Sequence, residues 1–150
     1  MSNYEYRQCV VGVFVNEAGY VLVGERSDVK GAWQLPQGGV EPGESTLTAL
    51  YREMKEEIGA GEFRVISIAS RQVRYQFPAT LKSGPAKNYA GQVQQWYKVE
   101  FDPGVSWDVS KKDGEFRGFE WRSVDSVIEG IVDWKKNAYR EGFRLLGMGS

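Results

Sequence analysis

The chain has no histidine, and that absence removes more chemistry than any other feature of its 150 residues. No Ser-His-Asp or Cys-His machinery can be built from it, and no zinc site with imidazole ligands. Acid–base work is left to carboxylates, lysine, tyrosine or a metal-bound water. Cysteine is nearly absent too. Cys9 stands alone, so no disulfide can close within the chain, and a reducing cytoplasm is the expected compartment. Cys9 lies in an alternating apolar run and reads as core packing. No apolar stretch approaches the roughly 18 residues of a membrane span. The opening MSNYEYRQ carries no signal-peptide core, so neither a leader nor a membrane partner is expected. The absence of a GxxxxGK[ST] loop argues against a P-loop kinase or ATPase. A net charge of −1 supplies no bulk positive field for coating nucleic acid, yet leaves room for a local basic groove that takes one phosphorylated end.

What is present is an ordinary composition, 41% hydrophobic and 26% charged. A chain of this length buries about 70% of its unfolded surface, so it needs no covalent staple and is expected to form a single domain over residues 1–150. Residues 6–15 and 20–25 read as strands joined by a turn at Asn16–Gly19. A short strand at Gln34-Leu35 runs into Pro36-Gln37-Gly38-Gly39, whose glycines permit tight backbone approach. A helix is expected from near Ser45, with Leu47, Leu50, Met54 and Ile58 on its buried side and Gly59 as its stop. Further strands are expected at 63–73, 92–101 and near 116–122, and helices at 123–129 and 133–146. The loop 78–91 is too long for a simple hairpin connection, which suggests a functional segment, and 103–114 reads as another polar loop. This order of elements makes an α+β layered fold.

The stretch from Gly38 to Ala60, GGVEPGESTLTALYREMKEEIGA, carries most of the chemical information. On a helix Glu53, Glu56 and Glu57 relate as i, i+3 and i+4 and project from one face. Like charges this close repel unless something cationic sits among them, and a hard divalent ion with oxygen ligands is the natural candidate. The string REMKEE alone would be an ordinary solvated helix face. The full spacing, Gly38, Glu44, Arg52-Glu53, Glu56-Glu57 and Gly59, is far more specific: seven letters would match a given start roughly once in 10⁸ tries.

That spacing resembles the signature box of the Nudix hydrolases, with all seven specified residues in place and only Ala60 smaller than the usual last residue. The resemblance implies an α/β/α sandwich around a mixed β-sheet. It also implies Mg²⁺ (or Mn²⁺), two or more ions, held by Glu53, Glu56 and Glu57 with help from the Gly38 carbonyl. Glu57 or Glu56 would activate the attacking water, while Glu44 and Arg52 would pair to hold the loop against the helix. Tyr6-Arg7, AWQLPQGG at 32–39, Arg74-Tyr75 with Phe77-Pro78, GQVQQWY at 91–97 and Glu115-Phe116 extend the likeness to residues 6–146. They are similar to a subgroup of bacterial RNA 5′-pyrophosphohydrolases and asymmetrical diadenosine tetraphosphate hydrolases. Within it, Glu115 would be a further metal ligand or the base.

The implied partner is a nucleotide-linked polyphosphate, most simply the 5′-triphosphate end of RNA. Diadenosine tetraphosphate cut to ATP and AMP is the alternative. A non-catalytic nucleotide-binding module would be expected to have lost one of the three box glutamates. By the similarity and by charge, Arg7, Arg26 and Lys135 are expected near the phosphates. Tyr75 and Phe77 alternate on a strand and share a face, so either is suited to stack on a base, with Tyr75 favoured because its hydroxyl tolerates solvent. Trp33 and Trp96 read as packing residues.

Overall fold

The computed structural model describes residues 5–105, 107 and 116–149. Strand β1 (Glu5–Phe14) is apolar from Cys9 onward because both of its faces are covered. Val10 and Phe14 turn into one core with Leu50, Met54 and Ile58 of helix α1 (Thr46–Ile58). Val11 and Val13 turn into a second core with Tyr139 and Phe143. Strand β2 (Val21–Arg26) splits the same way, Leu22 to the first core and Val21 and Val23 to the second. The two-residue side-chain period of a strand therefore separates two apolar layers.

Two sheets result. Strand β3 (Trp33–Gln34) pairs antiparallel with β2, while β4 (Gln37–Gly39) pairs antiparallel with β1. Strands β5 (Phe63–Ile68) and β6 (Val73–Gln76) both run antiparallel to β7 (Tyr89–Phe101), which is itself parallel to β1. The larger sheet is thus mixed, in the order β4-β1-β7-β5 with β6 also on β7. The smaller, β3-β2-β8, is closed by β8 (Phe116–Arg122). Helices α2 (Val124–Gly130) and α3 (Lys136–Leu145) bring Val127, Ala138, Tyr139 and Phe143 to the second core, opposite α1. No described helix is long and apolar enough to cross a membrane.

Three expectations change. The strand 63–73 is two strands, because a register shift between Val65 and Ser67 and a bend after Ile68 carry the chain off β7 before Val73 rejoins it opposite Gln94. The expected turn at Asn16–Gly19 is present, the Gly19 N–H donating to the Asn16 carbonyl at 3.0 Å, and the strands it joins lie in different sheets bridged at Val15 and Val21. The helix over 133–146 opens as a separate 3₁₀ turn, Asp133–Lys135, closed by the Lys135 N–H donating to the Val132 carbonyl. Leu47 is 46% exposed, because Thr46 makes the inward contact of the first turn of α1, its hydroxyl 2.5 Å from that of Tyr97. Glu115 and most of the loop 103–114 lie outside the described residues.

Candidate active site

Helix α1 is bounded by its own sequence. The Ser45 hydroxyl accepts the Thr48 N–H at 3.1 Å, and Gly59, at φ +70°, ends the helix in the left-handed conformation, its N–H returned to Lys55. Between these caps Arg52 organises the carboxylates. Its Nε and NH2 donate to the two oxygens of Glu44, both at 2.8 Å, and NH2 also reaches the Gly39 carbonyl at 2.8 Å. Its NH1 donates to Glu53 at 2.7 Å and, more loosely, to Glu56 at 3.4 Å. Such a fork-to-carboxylate pair is the geometry only a guanidinium supplies. The Arg52 guanidinium, with the Glu41 backbone N–H, holds the Glu44 carboxyl well down, at about 2. Burial pushes Glu53 the other way, above the usual carboxylate range, despite the opposing pull of Arg52.

The three box carboxylates stand at different depths: Glu57 is buried, Glu53 is 14% exposed and Glu56 is 62% exposed at the rim. Among the described residues no three acidic, cysteine or histidine side chains are gathered closely enough to hold an ion; Arg52 NH1 bonds Glu53 and Glu56 together. The donor chemistry nonetheless suits a hard divalent cation. These side chains bring oxygen only, and a Cβ on Gly38 would overlap the Glu53 carboxyl group, so the loop backbone lies directly against that acid.

Three consecutive residues of β4 join this helix to a cavity. Gly38 abuts Glu53. Gly39 abuts Arg7, whose NH2 would be 2.9 Å from a Cβ placed there. Gln37 lines a cavity of about 550 Å³ whose walls include Arg7, Arg26, Lys135, Tyr75, Phe77 and Trp134. The cations and aromatic rings proposed from sequence are therefore brought together, one strand away from the acidic helix. Arg26 is held by Asp28 at 3.0 and 2.6 Å. Burial first, and then the nearby Arg26, lower the Lys135 ammonium to about 8.

Lys135 thus carries its charge below pH 8 and loses it above, so its attraction for an anionic ligand fades as pH rises through that value. One unit above, about a tenth of the chain retains the charge. The KM for a polyphosphate substrate is expected to climb up to about tenfold between pH 7 and 9, and Lys135→Arg to flatten that rise. An unchanged profile in the variant would remove Lys135 from ligand binding.

Tyr75 departs from the sequence expectation. Its hydroxyl is not in solvent but donates to Gln92 Oε1 at 2.6 Å, and burial pushes its pKa up. Trp134 was not singled out by sequence. Its ring lies 5.6 Å from Tyr75 and 5.9 Å from Phe77, completing an aromatic trio, and the one clue was its position beside Lys135. Gln37 and Gln92 were also missed, although glutamines at alternate positions in the apolar strand around Trp96 demand buried partners. Trp96 is wholly buried, while Trp33 lies beneath the Arg122 guanidinium, 4.4 Å from its ring centre.

A family model for the NUDIX domain matches residues 5–142. The RNA pyrophosphohydrolase of Helicobacter pylori (strain P12) is 35% identical over 147 residues, 94% of this chain and 93% of its own. Nudix hydrolase 25 of Arabidopsis thaliana is 32% identical over 151 residues, covering 95% and 86%. A C. elegans Ap4A hydrolase binary complex has the same fold, with a TM-score of 0.66 at 17% identity over 94% of this chain and 98% of that one. The chain belongs to the Nudix hydrolase family and is an enzyme of that class. Its fold is the α/β/α sandwich around a mixed sheet, and family members in general need divalent metal ions.

Proposed function

We propose that the chain hydrolyses the 5′-triphosphate end of RNA to leave a 5′-monophosphate. The observation that carries this reading is the junction at Gln37-Gly38-Gly39. An acidic helix lies on one side of it, and a cavity with Arg7, Arg26, Lys135 and three aromatic rings lies on the other. In this reading the cations hold phosphate oxygens, and Tyr75, Phe77 or Trp134 offers a flat surface to a base, worth about 1–3 kcal/mol per stacked base. Glu53, Glu56 and Glu57, with the Gly38 carbonyl and Glu115, would hold Mg²⁺ (or Mn²⁺), two or more ions. When bound, such ions neutralise phosphate charge and acidify a water. The water oxygen bonds to phosphorus, the phosphoanhydride P–O bond breaks, and pyrophosphate or phosphate leaves with the electron pair. The water's proton passes to a carboxylate, Glu57, Glu56 or Glu115. Arg52, tied to Glu44 and Gly39, is a positioning residue that keeps the loop on the helix.

The name of the Helicobacter relative, similar over nearly its whole length, supports RNA as substrate. One observation favours the dinucleotide instead. A second hollow shares Phe77 and Leu81 with the cavity and is bordered by Lys82, Lys87 and Tyr89, leaving room for a second nucleoside. Parallel kinetics with Mg²⁺ on 5′-triphosphorylated RNA and diadenosine tetraphosphate, with Glu56→Gln as blank, separates the two. A much higher kcat/KM on RNA is expected. Preference for the dinucleotide, giving ATP and AMP, would overturn the RNA reading.

A further inference from the structure

A chain of buried amides runs from the second core to the cavity wall. Trp96 is fully buried, and its Nε1–H donates to Gln94 Oε1 at 3.0 Å. Gln94, also fully buried, donates through Nε2 to Gln37 Oε1 at 2.9 Å and to Gln92 Oε1 at 3.3 Å. Gln92, 2% exposed, receives the Tyr75 hydroxyl on the same oxygen at 2.6 Å. An amide group has a donor end and an acceptor end of nearly the same shape, so its direction must be deduced from its neighbours. Here one neighbour is unambiguous, because an indole N–H can only donate. Trp96 therefore requires the oxygen of Gln94, which turns the Gln94 amino group toward Gln37 and Gln92. Each of these must answer with its own oxygen, and the Gln92 oxygen is then filled by Tyr75 and Gln94 together.

The consequence falls at the cavity, which both Gln37 and Gln92 line. Their amide nitrogens are the ends left over. Among the described residues neither nitrogen meets an acceptor, and no buried side-chain nitrogen or oxygen lacks a partner, so neither nitrogen is sealed off from the cavity that both residues line. We propose that Trp96 and Gln94 are positioning residues whose hydrogen bonds fix the polarity of the cavity, so that Gln37 and Gln92 present N–H donors to phosphate oxygens. Where Gln37 and Gln92 line it, the wall beside Arg7, Arg26 and Lys135 then offers amide donors only, which suits an oxyanion and rejects a ligand that offers N–H groups there. This inference rests on the cavity being the polyphosphate seat.

The test uses the ¹⁵N-labelled full chain with inorganic triphosphate and no divalent ion, following side-chain amide signals assigned through Gln37→Met, Gln92→Met and Gln94→Met. Triphosphate is expected to move the Gln37 and Gln92 NH₂ signals and to leave that of Gln94 in place. On triphosphorylated RNA, the uncharged changes Gln94→Met and Trp96→Phe are expected to raise KM several-fold with a smaller fall in kcat, because the two cavity amides become free to turn over. Gln94→Glu, an acceptor at both ends, should raise KM further by reversing them. Gln37 and Gln92 signals that stay put while triphosphate binds would overturn the relay, as would an unchanged KM in folded Gln94→Met. Amide shifts with triphosphate but no RNA hydrolysis would support the relay and overturn the RNA reading alone.

Discussion

Glu56→Gln and Glu57→Gln are each expected to cut turnover by roughly 10²–10⁴-fold, the range associated with losing a general base, and by more if the residue also holds an ion. The Glu56 change is the cleaner of the two. Its carboxylate is 62% exposed and its one described contact is the long 3.4 Å reach of Arg52, so stability should hold to within about 0.5 kcal/mol. Glu57 is buried, and its replacement is expected to cost some stability as well. Measuring kcat beside a urea midpoint separates the two effects. Near-wild-type turnover in both variants would remove these residues from the chemistry and leave Glu53 and Glu115 as candidates.

Gly38→Ala is expected to do comparable damage from the opposite side. The added methyl group would overlap the Glu53 carboxyl group, which cannot simply swing aside because Arg52 NH1 holds its other oxygen at 2.7 Å. Overpacking of this kind costs about 1–3 kcal/mol, and a displacement of about 1 Å at a reacting group costs about 10²-fold in rate. Truncating the acid in the double variant Gly38→Ala/Glu53→Ala removes all three atoms that the methyl group would overlap, Oε2, Cδ and Cγ. It is expected to recover stability without recovering turnover, which a double-mutant cycle reads directly. Full stability and activity in Gly38→Ala alone would mean that the loop does not press on Glu53.

The acidic helix was legible in sequence because its parts are local. Glu44, Arg52, Glu53, Glu56 and Glu57 lie within one loop and one helix, where spacing translates directly into direction. The strand positions of β1, β2 and β8 were legible for the same reason, a short apolar run bounded by turn residues being a property of each segment alone. What sequence could not supply was which segments meet. The split of 63–73 depends on where β7 lies, and the first turn of α1 exposes Leu47 because Thr46 finds Tyr97, 51 positions away. Tyr75 was read with a free hydroxyl because its partner Gln92 is 17 residues on, across the pairing of β6 with β7. Trp134 joined the cavity through a 3₁₀ turn that the helical pattern of 133–146 concealed.

The parallel register of β1 on β7, from Glu5 with Tyr89 to Phe14 with Val99, ties together residues roughly 85 positions apart, and both apolar cores hang on that pair. Chain closure of that span must precede the contacts that reward it, so folding is set to be slow for a chain of this size, on the millisecond-to-second scale of non-local topologies. Helix α1, with its own caps, can flicker into shape early, but β4 has no strand to rest on until β1 is in place. The acid face and the cavity are therefore unconnected in any partly folded chain. Activity should return on refolding no sooner than the last long-range pairing.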